Sequence, residues 1–257
     1  MNVLQNLITY YNQLPPDSTY RNVCRGIMEH MEEAAVGTVY DIAELTNSSR
    51  TTVWRMVQKM GYNSFSDFHH ELKRAVKQYT YYNRILPQER CDSAESIKDA
   101  LLEQMQQAYT DMKTQIQVSD LEQIAAEVHE ADRIHFYTPL HSNSILSLQQ
   151  NLAMSGKETD YYCLMPEMLE GTKMLTQNSI VFVNTIDHVE TMDLQMVFEN
   201  IKEKGARIFG ITNHKSKYQK YITQEILNTG IGNVAQGLVT FEMYFYMLSE
   251  IYRMNYI

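Results

Sequence analysis

The stretch Thr38–Met60, TVYDIAELTNSSRTTVWRMVQKM, leaves few folds open to the chain that contains it. It reads as two short helices meeting at a tight polar turn. Val39, Ile42 and Ala43 lay an apolar stripe along the first helix, and Asn47 and Ser48 interrupt it. Ser49 can cap the second helix, because its hydroxyl can accept a backbone N–H that has no partner inside the helix. Val53, Met56, Val57 and Met60 then recur at i, i+3, i+4 and i+7, the spacing of one buried face. Gly61 suits a stop, since glycine takes the left-handed conformation without steric cost.

The residues left outside that face carry the functional information. Ser49, Arg50, Thr51, Thr52 and Arg55 cluster at the start of the second helix. A helix-turn-helix protein places there the groups that meet base edges and phosphates. Arginine can bridge O6 and N7 of guanine, a contact worth roughly 1–3 kcal/mol of discrimination. Threonine hydroxyls bond phosphate or bases, and a helix N-terminus attracts phosphate. Trp54, the single tryptophan, follows Val53 and falls near the rim of this helix. Packing against the bundle is the preferred reading for it, ahead of contact with a thymine methyl or a sugar. A plain helical hairpin with a solvated polar face would carry the same local pattern.

Charge has to be divided before it bears on DNA. The net charge of −9 over 257 residues is unfavourable as a bulk figure. Residues 1–90, however, hold ten Lys/Arg against nine Asp/Glu, leaving +1, whereas residues 91–257 hold twelve against twenty-two, leaving −10. The acidity belongs to the second part, and the first part is not strongly basic. DNA affinity would therefore come from a few placed contacts and from two copies rather than from a broad positive field.

Other function classes are excluded more simply. The length allows two domains, and 44% hydrophobic residues rule out global disorder. No apolar run approaches the ~18 residues of a membrane span. No basic run precedes an apolar segment at the N-terminus, so no secretory signal is expected. Cys24, Cys91 and Cys163 are few, odd in number and far apart, which suggests a reducing compartment and no CxxC pair. Neither a Gly-rich dinucleotide or phosphate loop nor a G-x-S-x-G elbow occurs, so no cofactor, metal or catalytic residue is expected.

Taken in order, the chain starts with helices. Leu4, Leu7, Ile8 and Tyr11 form one stripe, closed by Pro15-Pro16, and Cys24, Ile27, Met28 and Met31 form a second. After the hairpin, Ser64-Phe65-Ser66-Asp67 resembles a capped start, and Phe68, Leu72, Val76 and Tyr79 continue a helix. Residues 1–80 are thus an all-α bundle, and 81–95, with Pro87, Asp92 and Ser93, read as a linker. Ile97, Leu101, Met105, Ala108, Met112 and Ile116 mark a long helix. Ser119-Asp120-Leu121-Glu122 is expected to box the start of the next helix, running to about Glu130. From 133 onward the texture alternates: β-rich runs at 133–138, 159–164, 179–185 and 207–212, with helices near 143–155, 167–175, 191–204 and 216–222. That order implies right-handed βαβ units and a parallel sheet covered on both faces, an α/β domain. A last helix at about 233–254 carries Phe241, Tyr244, Phe245, Leu248 and Tyr252 on one side, for core or dimer contact.

Two stretches together resemble the RpiR (MurR/RpiR) family of bacterial transcription regulators. In the first, Asp41-Ile42-Ala43, Thr52-Val53-x-Arg55, Lys59-Met60-Gly61-Tyr62 and Phe65-x-Asp67-Phe68 follow the family's order and spacing. In the second, Ala131-Asp132-Arg133-Ile134, Glu190-Thr191, Lys204-Gly205-Ala206-Arg207 and Ile211-Thr212 do so. The resemblance implies an N-terminal helix-turn-helix domain and, over 96–257, a three-layer sugar isomerase (SIS) domain that dimerises and binds an effector. It further implies a cytoplasmic homodimer or homotetramer, a double-stranded DNA operator as partner, control by a phosphosugar or related anionic metabolite, and no membrane.

The second stretch departs from the pattern where ligands of open parallel sheets bind, outside the carboxyl ends of the strands. The family's phosphate loop Ser-x-Ser-Gly-Glu-Thr is replaced by Ile186-Asp187-His188-Val189-Glu190-Thr191. Both serines and the glycine are gone, and a carboxylate that repels phosphate has been added. The loop after the first strand is Thr138-Pro139-Leu140-His141-Ser142. Ser142 and Thr191 keep matching hydroxyl positions. Asn143, Ser144, His188 and Glu190 complete the expected effector set. His141, His188 and His214 each follow a strand; three unrelated surface histidines is the preferred reading, ahead of convergence on one edge to hold an anion and, last, a metal such as zinc. Two further readings stay open: a phosphosugar isomerase with an appended helical domain, and a regulator whose pocket is vestigial.

Overall fold

A computed structural model describes residues 3–77, 79, 85–86, 88–138, 141–185, 194–212, 217–228 and 234–257. The chain divides into two compact units, a helical one built on Met1–Asn83 and an α/β one built on Arg84–Tyr162, Leu169–Ile186 and Gln195–Ile257.

The helical unit contains α1 (Val3–Gln13), α2 (Thr19–Glu29), α3 (Met31–Val36), α4 (Val39–Leu45), α5 (Arg50–Lys59) and α6 (Phe65–Lys77). Its core gathers the inward faces of all six: Leu4 and Leu7, Val23 and Ile27, Ala34 and Ala35, Ile42, the Val53/Met56/Val57/Met60 set, and Phe68 with Leu72. The periodicity of α5 therefore holds at every position. Gly61 has φ +95°, the left-handed stop expected of it. The Oγ of Ser64 accepts the Asp67 N–H at 3.1 Å, as its capped-start pattern predicts.

Three features of this unit differ from expectation. The α1 stripe is rotated: Val3, Leu4, Leu7 and Tyr10 are buried, while Ile8 is 49% exposed. Asn6 is buried on the same face and donates its Nδ2–H to the Met60 carbonyl at 2.9 Å, which sets the helix rotation. Tyr79 is exposed rather than a continuation of the α6 stripe. Helix α3 has too few residues to show a period, and buries only Ala34 and Ala35.

The α/β unit contains α7 (Ala94–Gln115), α8 (Val118–Glu130), β1 (Arg133–Tyr137), α9 (Asn143–Met154), β2 (Glu158–Tyr162), α10 (Met165–Thr172), β3 (Ser179–Asn184), α11 (Gln195–Glu203), β4 (Arg207–Thr212), β5 (Gln224–Asn228) and α12 (Val234–Tyr256). Its sheet is parallel throughout, in the order β2-β1-β3-β4-β5. β3 is buried along its whole length, as a central strand covered on both faces must be. Phe136 of β1 stacks on Phe182 of β3 at 5.1 Å, and Phe245 of α12 meets Phe182 edge-on at 5.5 Å. The aromatic stripe of α12 is core: Phe241, Tyr244, Phe245, Leu248 and Tyr252 are all buried. Among the described residues no helix is long and apolar enough to cross a membrane.

Here too the structure corrects the reading. Only Ala108 of the long-helix stripe is fully buried; Leu101, Met105 and Met112 are half-buried and Ile97 is exposed, so α7 lies shallowly on the domain. Helix α8 starts at Val118, one residue before Ser119, and makes no side-chain cap bond. The link from α7 leaves no room for a box, because Ile116 already caps α7 and Gln117 is the N-cap of α8. Ser93, read as linker, instead boxes the start of α7 with Ser96. The helix expected at 216–222 is one 3-10 turn, Gln219–Tyr221, among the described residues, and β5 follows it. As an edge strand with one buried residue, β5 has no apolar run to betray it.

The sheet face opposite the aromatic core holds a polar cluster. His135 of β1 is fully buried, with Nδ1 3.2 Å from the Tyr137 hydroxyl. Its Nε2 lies 3.2 Å from Asp160 Oδ2 on β2, without the alignment of a hydrogen bond. Arg133 pairs with Asp160 at 3.2 Å and also with Glu158. Gly171 of α10 lets that helix pass over the cluster, since a Cβ there would stand 2.5 Å from the Tyr162 ring. Burial first, then the Arg133 charge, lower the His135 pKa to about 4, against an opposing pull from Asp160.

This shift has a sign that can be tested. As pH falls below about 6.5 the unfolded chain takes up a proton that native His135 refuses, so stability falls with pH until about 4 and then levels. The loss should be on the order of 3 kcal/mol across that window. Urea unfolding of the α/β unit followed between pH 7 and 4 should show it, and His135→Phe should flatten that part of the profile.

Candidate functional site

Two capped helix starts build the candidate DNA-reading surface. At the first, Thr38 Oγ1 accepts the N–H groups of Tyr40 at 3.2 Å and Asp41 at 3.4 Å, and the Thr38 N–H donates to Asp41 Oδ2 at 2.6 Å. This reciprocal box fixes the first turn of α4. The Thr38 N–H, and after it the Thr38 hydroxyl, hold the Asp41 carboxyl below the usual carboxylate range. At the second, Ser49 Oγ accepts the Thr52 N–H at 3.1 Å and lies 2.9 Å from Thr52 Oγ1. The turn between them uses Asn47 at φ +50° and the buried Thr46, whose hydroxyl donates to the Ile42 carbonyl at 2.7 Å. A polar cleft of about 360 Å³ runs beside this turn, lined by Thr19, Asn22 and Arg25 of α2 and by Thr46, Asn47 and Ser48.

With Val53, Met56 and Val57 turned inward, Ser49, Arg50, Thr51, Trp54 and Arg55 are exposed and Thr52 is half-buried. The hydroxyl of Thr52 belongs to the Ser49 cap. Trp54 is 44% exposed, so its ring is partly covered and partly open to solvent, at the rim of the inward face some 100° round the helix from Val53. Arg50 is held. Its guanidinium carbon lies 4.3 Å over the Tyr40 ring, and Nη1 donates to the Tyr40 hydroxyl at 2.6 Å. Tyr40 itself is 61% exposed. The sequence offered no sign of Tyr40, since a tyrosine ten positions before an arginine means nothing until α4 and α5 dock.

The second candidate region is the carboxyl edge of the sheet. Ser142 caps α9, its Oγ accepting the Ile145 N–H at 3.2 Å and lying 2.8 Å from Ser144 Oγ. Both serines are buried, whereas Asn143 and His141 are exposed. The Ser144 N–H donates to Glu242 Oε2 of α12 at 3.2 Å, so a carboxylate already sits at this helix start. Asn184, ending β3, donates to Thr138 Oγ1 at 3.3 Å, and Thr212, ending β4, donates to Glu225 Oε1 at 2.6 Å. Asn184, Glu225 and Glu242 escaped the sequence reading because they lie 46, 13 and 98 positions from their partners. His188, Glu190 and Thr191 of the expected effector set, together with Asp187 and His214, lie outside the described residues. Among the described residues no three His, Cys, Asp or Glu side chains gather as a metal would need.

Comparison with known proteins matches residues 1–79 to the helix-turn-helix domain, rpiR family. A Bacillus subtilis protein described as the uncharacterized HTH-type transcriptional regulator YbbH is 25% identical over 232 residues, covering 87% of this chain and 78% of the relative. Among solved structures, the chain is similar to the Vibrio vulnificus NanR protein complexed with ManNAc-6P, with 19% identity and a TM-score of 0.49 over 97% of this chain and 90% of that one. It is also similar to the sugar isomerase domain of an RpiR transcription factor from Sphaerobacter thermophilus, with 15% identity and a TM-score of 0.41 over 60% of this chain and 86% of that one.

Ser49→Ala leaves the Thr52 N–H and hydroxyl without their partner, and should lower the stability of the helical unit by about 1 kcal/mol. Ser49→Asp, which keeps an acceptor at the helix start, should recover most of it in the same thermal unfolding assay.

Proposed function

The first 79 residues are a helix-turn-helix domain of the rpiR family, and on that footing we propose that two copies of this transcription regulator read a two-fold symmetric operator while the α/β domain senses an anionic sugar metabolite. The observation that carries the reading is the state of α5. Four residues of one face are buried, its start is capped by Ser49 and its end carbonyl is held by Asn6, so the helix cannot roll. Its exposed first turns then present Arg50, Thr51 and Arg55 as one rigid set. A site on a fixed helix meets base edges in a defined register, which a flexible basic loop does not. The near-neutral charge of residues 1–90 makes a second copy useful, because each half-site offers few cations.

The α/β domain is read as a sensor and dimerisation domain in the cytoplasm rather than as an isomerase. Isomerising a phosphosugar takes a free base beside a phosphate cradle. At the described part of the strand edge Glu225 and Glu242 are both engaged, by Thr212 and by Ser144 respectively. An effector can switch such a protein only by binding one arrangement of its domains better than another. Glu242 favours altered chemistry at this edge: an incoming phosphate competes with a carboxylate for the Ser144 N–H.

Selection from a random DNA pool tests the first part. The chain should enrich a palindromic site, and Arg50→Ala should weaken specific binding about tenfold or more and relax preference at one position of each half-site. Unchanged affinity and preference would remove Arg50 from direct readout. The second part is tested by calorimetry with a panel of hexose phosphates. Glu242→Gln should tighten binding several-fold by removing the competing charge, and an unaltered affinity would mean that the anion binds elsewhere.

A further inference from the structure

We propose that Tyr40 is a positioning residue for base reading: it holds the Arg50 guanidinium in its reading pose before DNA arrives. The inference rests on the DNA-reading function proposed above, and adds to it a residue on the other helix of the pair. Tyr40 is the second residue of α4 and Arg50 the first of α5. Both therefore sit at capped helix starts whose backbone is fixed, the one by the Thr38 box and the other by Ser49. The ring offers its face to the cation at 4.3 Å and its hydroxyl oxygen to Nη1 at 2.6 Å, so two interactions with different geometric demands agree on one position.

That position suits the task. A bidentate contact to guanine can be made through Nε and Nη2, and the bond to Tyr40 uses Nη1. Reading and positioning therefore draw on different edges of one planar group. A free arginine loses rotamer freedom when it docks, and an arginine already stacked loses less, so the gain appears as affinity for the correct base. The stack also explains an exposed tyrosine in the first turn of α4. Its hydroxyl accepts from Arg50, which leaves the phenolic proton to be donated to a backbone phosphate alongside.

The test is a double-mutant cycle on the selected operator with the full-length protein. Tyr40→Phe keeps the ring and removes the hydroxyl; Tyr40→Ala removes both. Specific affinity should fall about two- to threefold and about five- to tenfold, respectively. Base preference should relax at the same operator position that Arg50→Ala affects. In the Arg50→Ala background the Tyr40 losses should shrink to at most about twofold, the residue left by a phosphate contact. Non-specific binding should fall by no more than that same twofold, and the thermal midpoint should stay unchanged, as expected for a side chain that is mostly exposed.

Full losses that persist in the Arg50→Ala background would overturn the proposal, since Tyr40 would then act on DNA or on the fold by itself. A gain of affinity in Tyr40→Ala would also overturn it, because the stack would be holding the guanidinium away from the bases. A wild-type protein that enriches no sequence would instead defeat the DNA-reading function, and the positioning role with it.

Discussion

Everything the helical unit presents to solvent depends on how α5 is seated. Val53, Met56, Val57 and Met60 are buried without remainder, so this face fixes the rotation of the helix to within what close packing tolerates. Burying such side chains is worth about 1.5–3 kcal/mol each, far more than any surface contact of the same helix. Rotation alone would still leave the helix free to slide or fray. The two ends prevent that by hydrogen bonds, Ser49 at the start and Asn6 on the Met60 carbonyl at the finish. Hydrophobic burial thus supplies the energy, and two polar contacts supply the register.

The α/β unit divides the same labour across the two faces of its sheet. On one face Phe136, Phe182 and Phe245 make stacked and edge-on contacts that tie β1 and β3 to α12. On the other face His135, Asp160 and Arg133 form a buried-to-exposed gradient of polar groups, closed where Gly171 lets α10 come near. A buried imidazole beside a carboxylate contributes less to stability than an apolar pair would, but a slipped strand would leave both groups without their partner. The register that pairs His135 with Asp160 is also the one that pairs Phe136 with Tyr161, so both faces agree on it.

Sequence reading succeeded where burial is periodic and failed where structure is set by distant partners. The hairpin, the first four strands and the last helix were visible because a 3.6-residue or β-rich pattern persists over many residues. The rotation of α1 was not, since the decisive contact is from Asn6 to a carbonyl 54 positions away. An edge strand such as β5 buries too little to leave a pattern, and the α8 start moved because the α7 end left no room for a cap. The same division runs through the candidate sites. Arg50, Thr51 and Arg55 were found by subtraction from a clean apolar face. Tyr40 and Glu242 belong to helices that reach the sites only through tertiary packing.

The uneven charge of the chain makes these placements matter more. A strongly basic domain gains affinity for any phosphate backbone, and its preference for one sequence is a small increment on that large background. Residues 1–90 are nearly balanced, at +1, so the background is low and a few directed contacts form a larger share of the total. In such a domain the pose of one arginine has more influence on selectivity than the number of lysines nearby. On the proposed function, Arg50 at its capped helix start, stacked on the Tyr40 ring, is the form that influence takes.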